Sequence, residues 1–194
     1  MEDAQIIKRI SAIDPTAAAT MTENPTTLKK VIVPFYKDFK LLLATVNLRH
    51  RPISFRYALS ETRVLPLGGT ASQIYAVNEI EKLQLKSLEV SDYVHFFFMN
   101  TNGGKLQIVQ GAKDVVWLAN IEQSAELKAK QEQAIKLIHP VQVAALPNGD
   151  YSVTATGILD RDLLEMTLSV TQRGNTEITQ KRALVEDIPV PYVL

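Results

Sequence analysis

Apolar residues recur at helical spacing at Ile6, Ile7, Ile10 and Ile13, behind the acidic residues Glu2 and Asp3 that suit a helix N-terminus, so residues 2–13 are predicted to form an amphipathic helix. Pro15 ends it. Residues 16–27 are rich in Ala and Thr and bounded by Pro15 and Pro25, which reads as a linker and makes the first helix an N-terminal arm. Apolar runs at 31–33, 39–48 and 53–59, separated by Pro34 and Pro52, predict two or three strands. In the third, Ile53, Phe55, Tyr57 and Leu59 alternate with Ser54, Arg56, Ala58 and Ser60, the period of a strand with one face in the core. Leu67-Gly68-Gly69-Thr70 reads as a turn, and Ile74-Tyr75-Ala76-Val77 as a short strand.

Residues 87–101 carry two signals. Phe96-Phe97-Phe98 has strand propensity, whereas Val90, Tyr93, Val94 and Phe97 stand at i, i+3, i+4 and i+7 behind a capping Ser87, with Asn102 or Gly103 available as a C-cap. The helix is the favoured reading. Its other side carries Asp92, His95, Phe96 and Met99, so the pattern predicts cover on more than one face. Short strands are expected at 105–109 and 115–118. A solvated helix follows Ser124, with Glu126–Lys130 and Glu132–Lys136 as i, i+4 pairs, and stops at His139-Pro140.

The last third gives the clearest pattern. Runs at 141–146, 151–159, 163–172 and 176–185 are separated by Pro147-Asn148-Gly149-Asp150, Asp160-Arg161-Asp162 and Arg173-Gly174-Asn175, which predicts a four-stranded antiparallel meander. Tyr151, Val153, Ala155 and Leu159 share an apolar face with Leu164, Met166, Leu168 and Val170, and Ser152, Thr154, Thr156, Thr167, Ser169 and Thr171 share a polar one. The fold class that follows is α+β, an antiparallel sheet covered on one face by helices and preceded by an N-terminal helical arm. The domain organisation expected is a helix and linker over residues 1–26 and one domain over 27–194, with a sub-boundary near 121–140 as the place where it could divide.

Composition narrows the function classes. Of 194 residues, 46% are hydrophobic and 22% charged, with 8 Gly and 9 Pro, which excludes a wholly disordered or collagen-like chain. Lys plus Arg number 21 and Asp plus Glu 21, so no global field steers the chain to nucleic acid or an anionic membrane. No cysteine is present, which removes disulfides, thiol nucleophiles and Cys-ligated metals and agrees with a reducing compartment. The acidic N-terminus and four-residue apolar runs predict neither a secretory leader nor a membrane span, hence a cytoplasmic protein.

The motifs of hydrolases, P-loop proteins, dinucleotide-binding folds and zinc proteases do not occur, and no spacing calls for a metal or cofactor. Gly103-Gly104-Lys105 is a turn, because the upstream glycine that a phosphate loop needs is missing. Asp160-Arg161-Asp162 with Glu165 has the form of an acidic metal motif but sits where a hairpin turn is expected. Charge is locally segregated all the same. Between residues 29 and 63, eight basic residues face only Asp38 and Glu61, and Arg49, His50, Arg51 and Arg56 are the candidates for binding an anionic ligand through guanidinium–carboxylate or guanidinium–phosphate pairs. The plainer account is solubilising charge on a strand edge. Five aromatics, Phe35, Tyr36, Phe39, Phe55 and Tyr57, interleave with these cations in the manner of a nucleic-acid surface, but Phe55 and Tyr57 fit a core better. Asp92 and His95, three apart on the predicted helix, are the candidate acid/base pair, against an ordinary packed pair. Asn78-Glu79, at the end of the expected 74–77 strand, is a polar pair of the kind that sites use, and Trp117, Tyr93, Phe97 and Phe98 read as core.

The sequence therefore supports a non-catalytic binding or protein-interaction module, with a homo-oligomer as one form of it. A small-molecule site for an anionic ligand, catalytic or not, lined by Arg and His, is the alternative, and nucleic-acid binding comes third. Whether the protein is an enzyme is left open.

Overall fold

In the computed structural model, which describes residues 2–191, five helices and two antiparallel sheets give the α+β architecture that the patterning predicts. The chain forms two compact units, one ending at Leu83 and the other beginning at Gln84.

The first unit opens with α1 (Asp3–Ser11) and α2 (Pro15–Glu23). The segment expected as a linker is thus mostly helical. Asp14 caps α2 by accepting the Ala17 amide at 3.0 Å, Pro15 occupies the first turn where its missing N–H costs nothing, and three alanines favour the helix. A four-stranded meander follows in the order β1 (Thr26–Ile32), β2 (Lys40–Asn47), β3 (Pro52–Leu59) and β4 (Val64–Leu67), the last occupying part of the expected turn. The register pairs Leu42 with Tyr57, Ala44 with Phe55 and Val46 with Ile53, so all six share one face. That face packs against the two helices. Ile6, Ile10, Leu42, Ala44 and Val46 are fully buried there with Ala17, Ala18, Met21 and Tyr57, and each isoleucine contributes about 1.5–3 kcal/mol by leaving water.

Residues 74–77, expected as a strand, lie inside α3 (Ala71–Glu81). The helical stripe is Ile74, Val77, Asn78 and Glu81, and its two polar members hide the period. Both are used. Asn78 Oδ1 accepts the Tyr36 hydroxyl at 2.6 Å, and the Glu81 carboxylate accepts the amides of Lys37, Asp38 and Phe39 at 3.0, 2.8 and 2.7 Å, which fastens the β1–β2 loop to the helix. Lys82, at φ 52, ends α3 in a left-handed cap.

In the second unit the 87–101 segment is helical, as favoured: a short 3-10 turn at Ser87–Glu89 leads into α4 (Val90–Met99). Val90, Tyr93, Val94, Phe96, Phe97 and Phe98 are all buried, so the helix is covered around most of its girth. It ends at Asn100 rather than at Asn102 or Gly103, because Asn100 Nδ2 and Thr101 Oγ1 donate to the Phe96 and Phe97 carbonyls. Then come β5 (Leu106–Val109), α5 (Ala125–Leu137), capped by Ser124, and β6 (Gln142–Ala145), β7 (Tyr151–Leu159), β8 (Asp162–Val170) and β9 (Thr176–Val185). The predicted meander is present, with β5 added beside β7. Residues 115–118 form no strand; Leu118 makes a single bond to the Pro189 carbonyl. Tyr151, Val153, Ala155, Met166, Leu168 and Val170 are buried on the predicted apolar face. One end of the polar face carries a second core, in which Val109, Ile158, Leu163 and Val185 pack with Ala134 of α5 and with Val115, Ile188 and Val190.

Candidate functional site

α1 and α2 form a hairpin joined by Ala12-Ile13-Asp14, and its outer side is a trough of about 750 Å³. That lies within the range of about 300–1,000 Å³ usual for binding sites. Ile7, Ala18 and Met21 make the floor, and Ala4, Lys8, Ser11, Pro15, Ala19, Thr22 and Glu23 the walls. The sequence dictates the trough: α2 presents alanines and threonine where larger side chains would close it.

The walls ask no hydrogen bond of an occupant. Ser11 Oγ donates to the Lys8 carbonyl at 2.7 Å, and Thr22 Oγ1 to the Ala18 carbonyl at 2.9 Å, so both hydroxyls are spent on their own helices. What remains is apolar surface with one charge on each side. Lys8 stands in the last turn of α1, where a cation suits the helix dipole. Glu23 stands in the last turn of α2, where it opposes the dipole, and no basic residue accompanies it there. Glu2 and Asp3 are exposed just before Ala4, so the end of the trough at Ala4 and Glu23 is acidic.

The residues singled out by sequence lie elsewhere. Arg49, His50 and Arg51 occupy the exposed β2–β3 loop, brought together by the Asn47–Pro52 pairing that closes the hairpin. Arg56 is half-buried in β3 opposite Leu43, about 14–17 Å along the strand from that loop, so the four do not converge on one point. On α4, Asp92 is exposed, and His95 Nδ1 donates to the Ser91 carbonyl at 2.9 Å. The helix backbone, rather than Asp92, orients the imidazole.

A polar cluster that no local motif announces joins His139, Glu165 and Arg182. Glu165 Oε2 accepts from Arg182 Nη2 and Nε at 2.7 and 2.8 Å, and its Oε1 lies 3.7 Å from His139 Nε2. Thr156, fully buried below, donates to the Val109 carbonyl at 2.8 Å and accepts the His139 amide at 3.4 Å. These contacts tie the α5–β6 connection to the sheet. Asp160-Arg161-Asp162 is the β7–β8 turn, with Asp160 at φ 56, Arg161 paired to Asp187 at 3.0 Å and Asp162 accepting the Asp187 amide at 2.9 Å. Among the described residues no three His, Asp or Glu side chains are grouped to hold a metal ion, and no helix is long and apolar enough to cross a membrane. In comparison with known proteins, no family model, no curated protein and no solved structure matches the chain.

Proposed function

We propose that the protein is a non-catalytic interaction module that receives the apolar face of an amphipathic helix from a partner protein in the α1–α2 trough. The observation that carries this reading is the combination of an open apolar floor with wall hydroxyls already bonded to their own helices. An occupant gains burial there, and the protons of the two wall hydroxyls already have acceptors. The exposed Glu23, acting against its own helix dipole, favours a cation at one end of that partner helix. Two buried leucines contribute about 3–6 kcal/mol before the cost of association, so the complex is weak and transient unless the partner helix buries further apolar side chains. A cytoplasmic location accompanies this reading, on the absence of cysteine.

Fluorescence anisotropy with a labelled helical peptide, leucine at i, i+3, i+4 and i+7 and lysine at one end, tests it. Ala19→Trp, at an exposed wall position, fills the trough without touching the core and should weaken binding at least tenfold. Glu23→Gln should weaken it less and remove most of the salt dependence of the binding. Absence of binding, or equal binding by Ala19→Trp, refutes the reading. A concentration-dependent dimer in sedimentation that Ala19→Trp abolishes would assign the trough to a second copy of the chain.

A further inference from the structure

The strand register of the first unit sorts the basic segment onto one surface. On the face of the sheet turned away from α1 and α2, Lys29, Leu43, Arg56 and Leu67 form one row across β1 to β4. Thr27, Thr45 and Ser54 form the next row toward the β2–β3 loop, and Asn47 and Pro52 the row after that. Arg49, His50 and Arg51 lie beyond it, while Leu48 of the same loop packs into the core on the opposite side. None of the positions that the register places on this face is acidic. Its half nearest the loop is open, with Thr27, Lys29, Asn47, Pro52 and Ser54 exposed. Cations therefore stand at both ends of a hydroxyl-lined stripe.

We propose that this stripe docks an extended acidic segment of a partner protein, with carboxylates at alternate positions. Successive rows are about 6.8 Å apart, the distance between side chains i and i+2 of an extended peptide lying along the strands. A peptide of that form places carboxylates at Lys29 and at the arginine loop, with the Thr27 hydroxyl and one proton of the Thr45–Ser54 pair, whose oxygens lie 3.5 Å apart, as donors between them. Single-stranded nucleic acid fits less well. The sheet aromatics Phe55 and Tyr57 lie on the other face, against the helices, so no ring on this face stacks a base. The proposal is independent of the α1–α2 trough, which lies on the opposite side of the same sheet.

The test is anisotropy of a labelled peptide of alternating Glu and Thr, beside the same peptide with Gln for Glu and a single-stranded oligothymidylate of equal charge. The expected result is binding of the Glu peptide alone, weakened about tenfold between low and high salt. The double variant Arg49→Ala/Arg51→Ala and the single variant Lys29→Ala, all at exposed positions, should each weaken it about three- to tenfold, and Lys113→Ala in the second unit should not. Equal binding of the Gln peptide, tighter binding of the oligothymidylate, or the same loss in Lys113→Ala overturns the proposal.

Discussion

Tyr57 donates its phenolic proton to Asp14 Oδ2 across 3.3 Å, while Asp14 Oδ1 accepts the Ala17 amide and caps α2. One carboxylate thus fixes both the start of a helix and its seat on the sheet. Burial first, and then the charge and hydrogen bond of Asp14, raise the Tyr57 phenol well above the usual value of about 10. A pKa raised by folding contributes stability that is intact below the unfolded value and lost as pH climbs from there toward the folded value. The urea midpoint should fall above about pH 10, and Tyr57→Phe should lose much of that fall. An unchanged alkaline loss in Tyr57→Phe would contradict this account. Asp14→Ala should cost about 1–2 kcal/mol near neutrality through the lost cap.

Ile6 and Ile10 are fully buried against the β1–β4 sheet. Ile10→Ala should therefore destabilise the first unit by about 2–5 kcal/mol, read as a lowered denaturation midpoint. Ile13, 46% exposed, provides the comparison, and Ile13→Ala should change stability by about 0.5 kcal/mol or less.

Glu81 holds three consecutive amides of the β1–β2 loop. In Glu81→Ala those donors lose their acceptor, and Phe39 sits in a part-buried position where water replaces it poorly. Faster hydrogen exchange at residues 37–39 and a loss of about 1–3 kcal/mol are expected. Exchange of the Tyr36 amide should change less, because it has its own bond to the Val33 carbonyl.

Thr156→Val keeps the shape of a fully buried residue while removing the hydroxyl between Val109 and His139. Leaving the His139 amide and Val109 carbonyl without that partner should cost about 1–3 kcal/mol. A neutral result in thermal denaturation would show that water takes the place of the hydroxyl.

Strands were legible where their period is their packing: residues 151–155 and 164–170 alternate as their burial does, whereas Ala58 and Thr156 are buried on the faces expected to be wet. Helix α5 was legible from Ser124 and its Glu–Lys pairs. α2 was not, since Thr20 and Thr22 return their hydroxyls to the Thr16 and Ala18 carbonyls, and a helix that satisfies its polar groups internally shows no amphipathic stripe in sequence. α3 was masked because Asn78 and Glu81 occupy its inner face in order to bind a loop some forty residues earlier. The trough followed α2 into obscurity, since a linker has no walls. The basic segment was visible, but only strand register could separate Lys29 and Arg56 from the aromatics Phe55 and Tyr57.

A nitrogen–proton NMR titration of the intact protein with the leucine-striped helical peptide reads the docking site residue by residue. Docking in the trough predicts saturable shifts concentrated at residues 4–23, absent in Ala19→Trp. Shifts scattered over the chain, or centred outside residues 4–23, would contradict it.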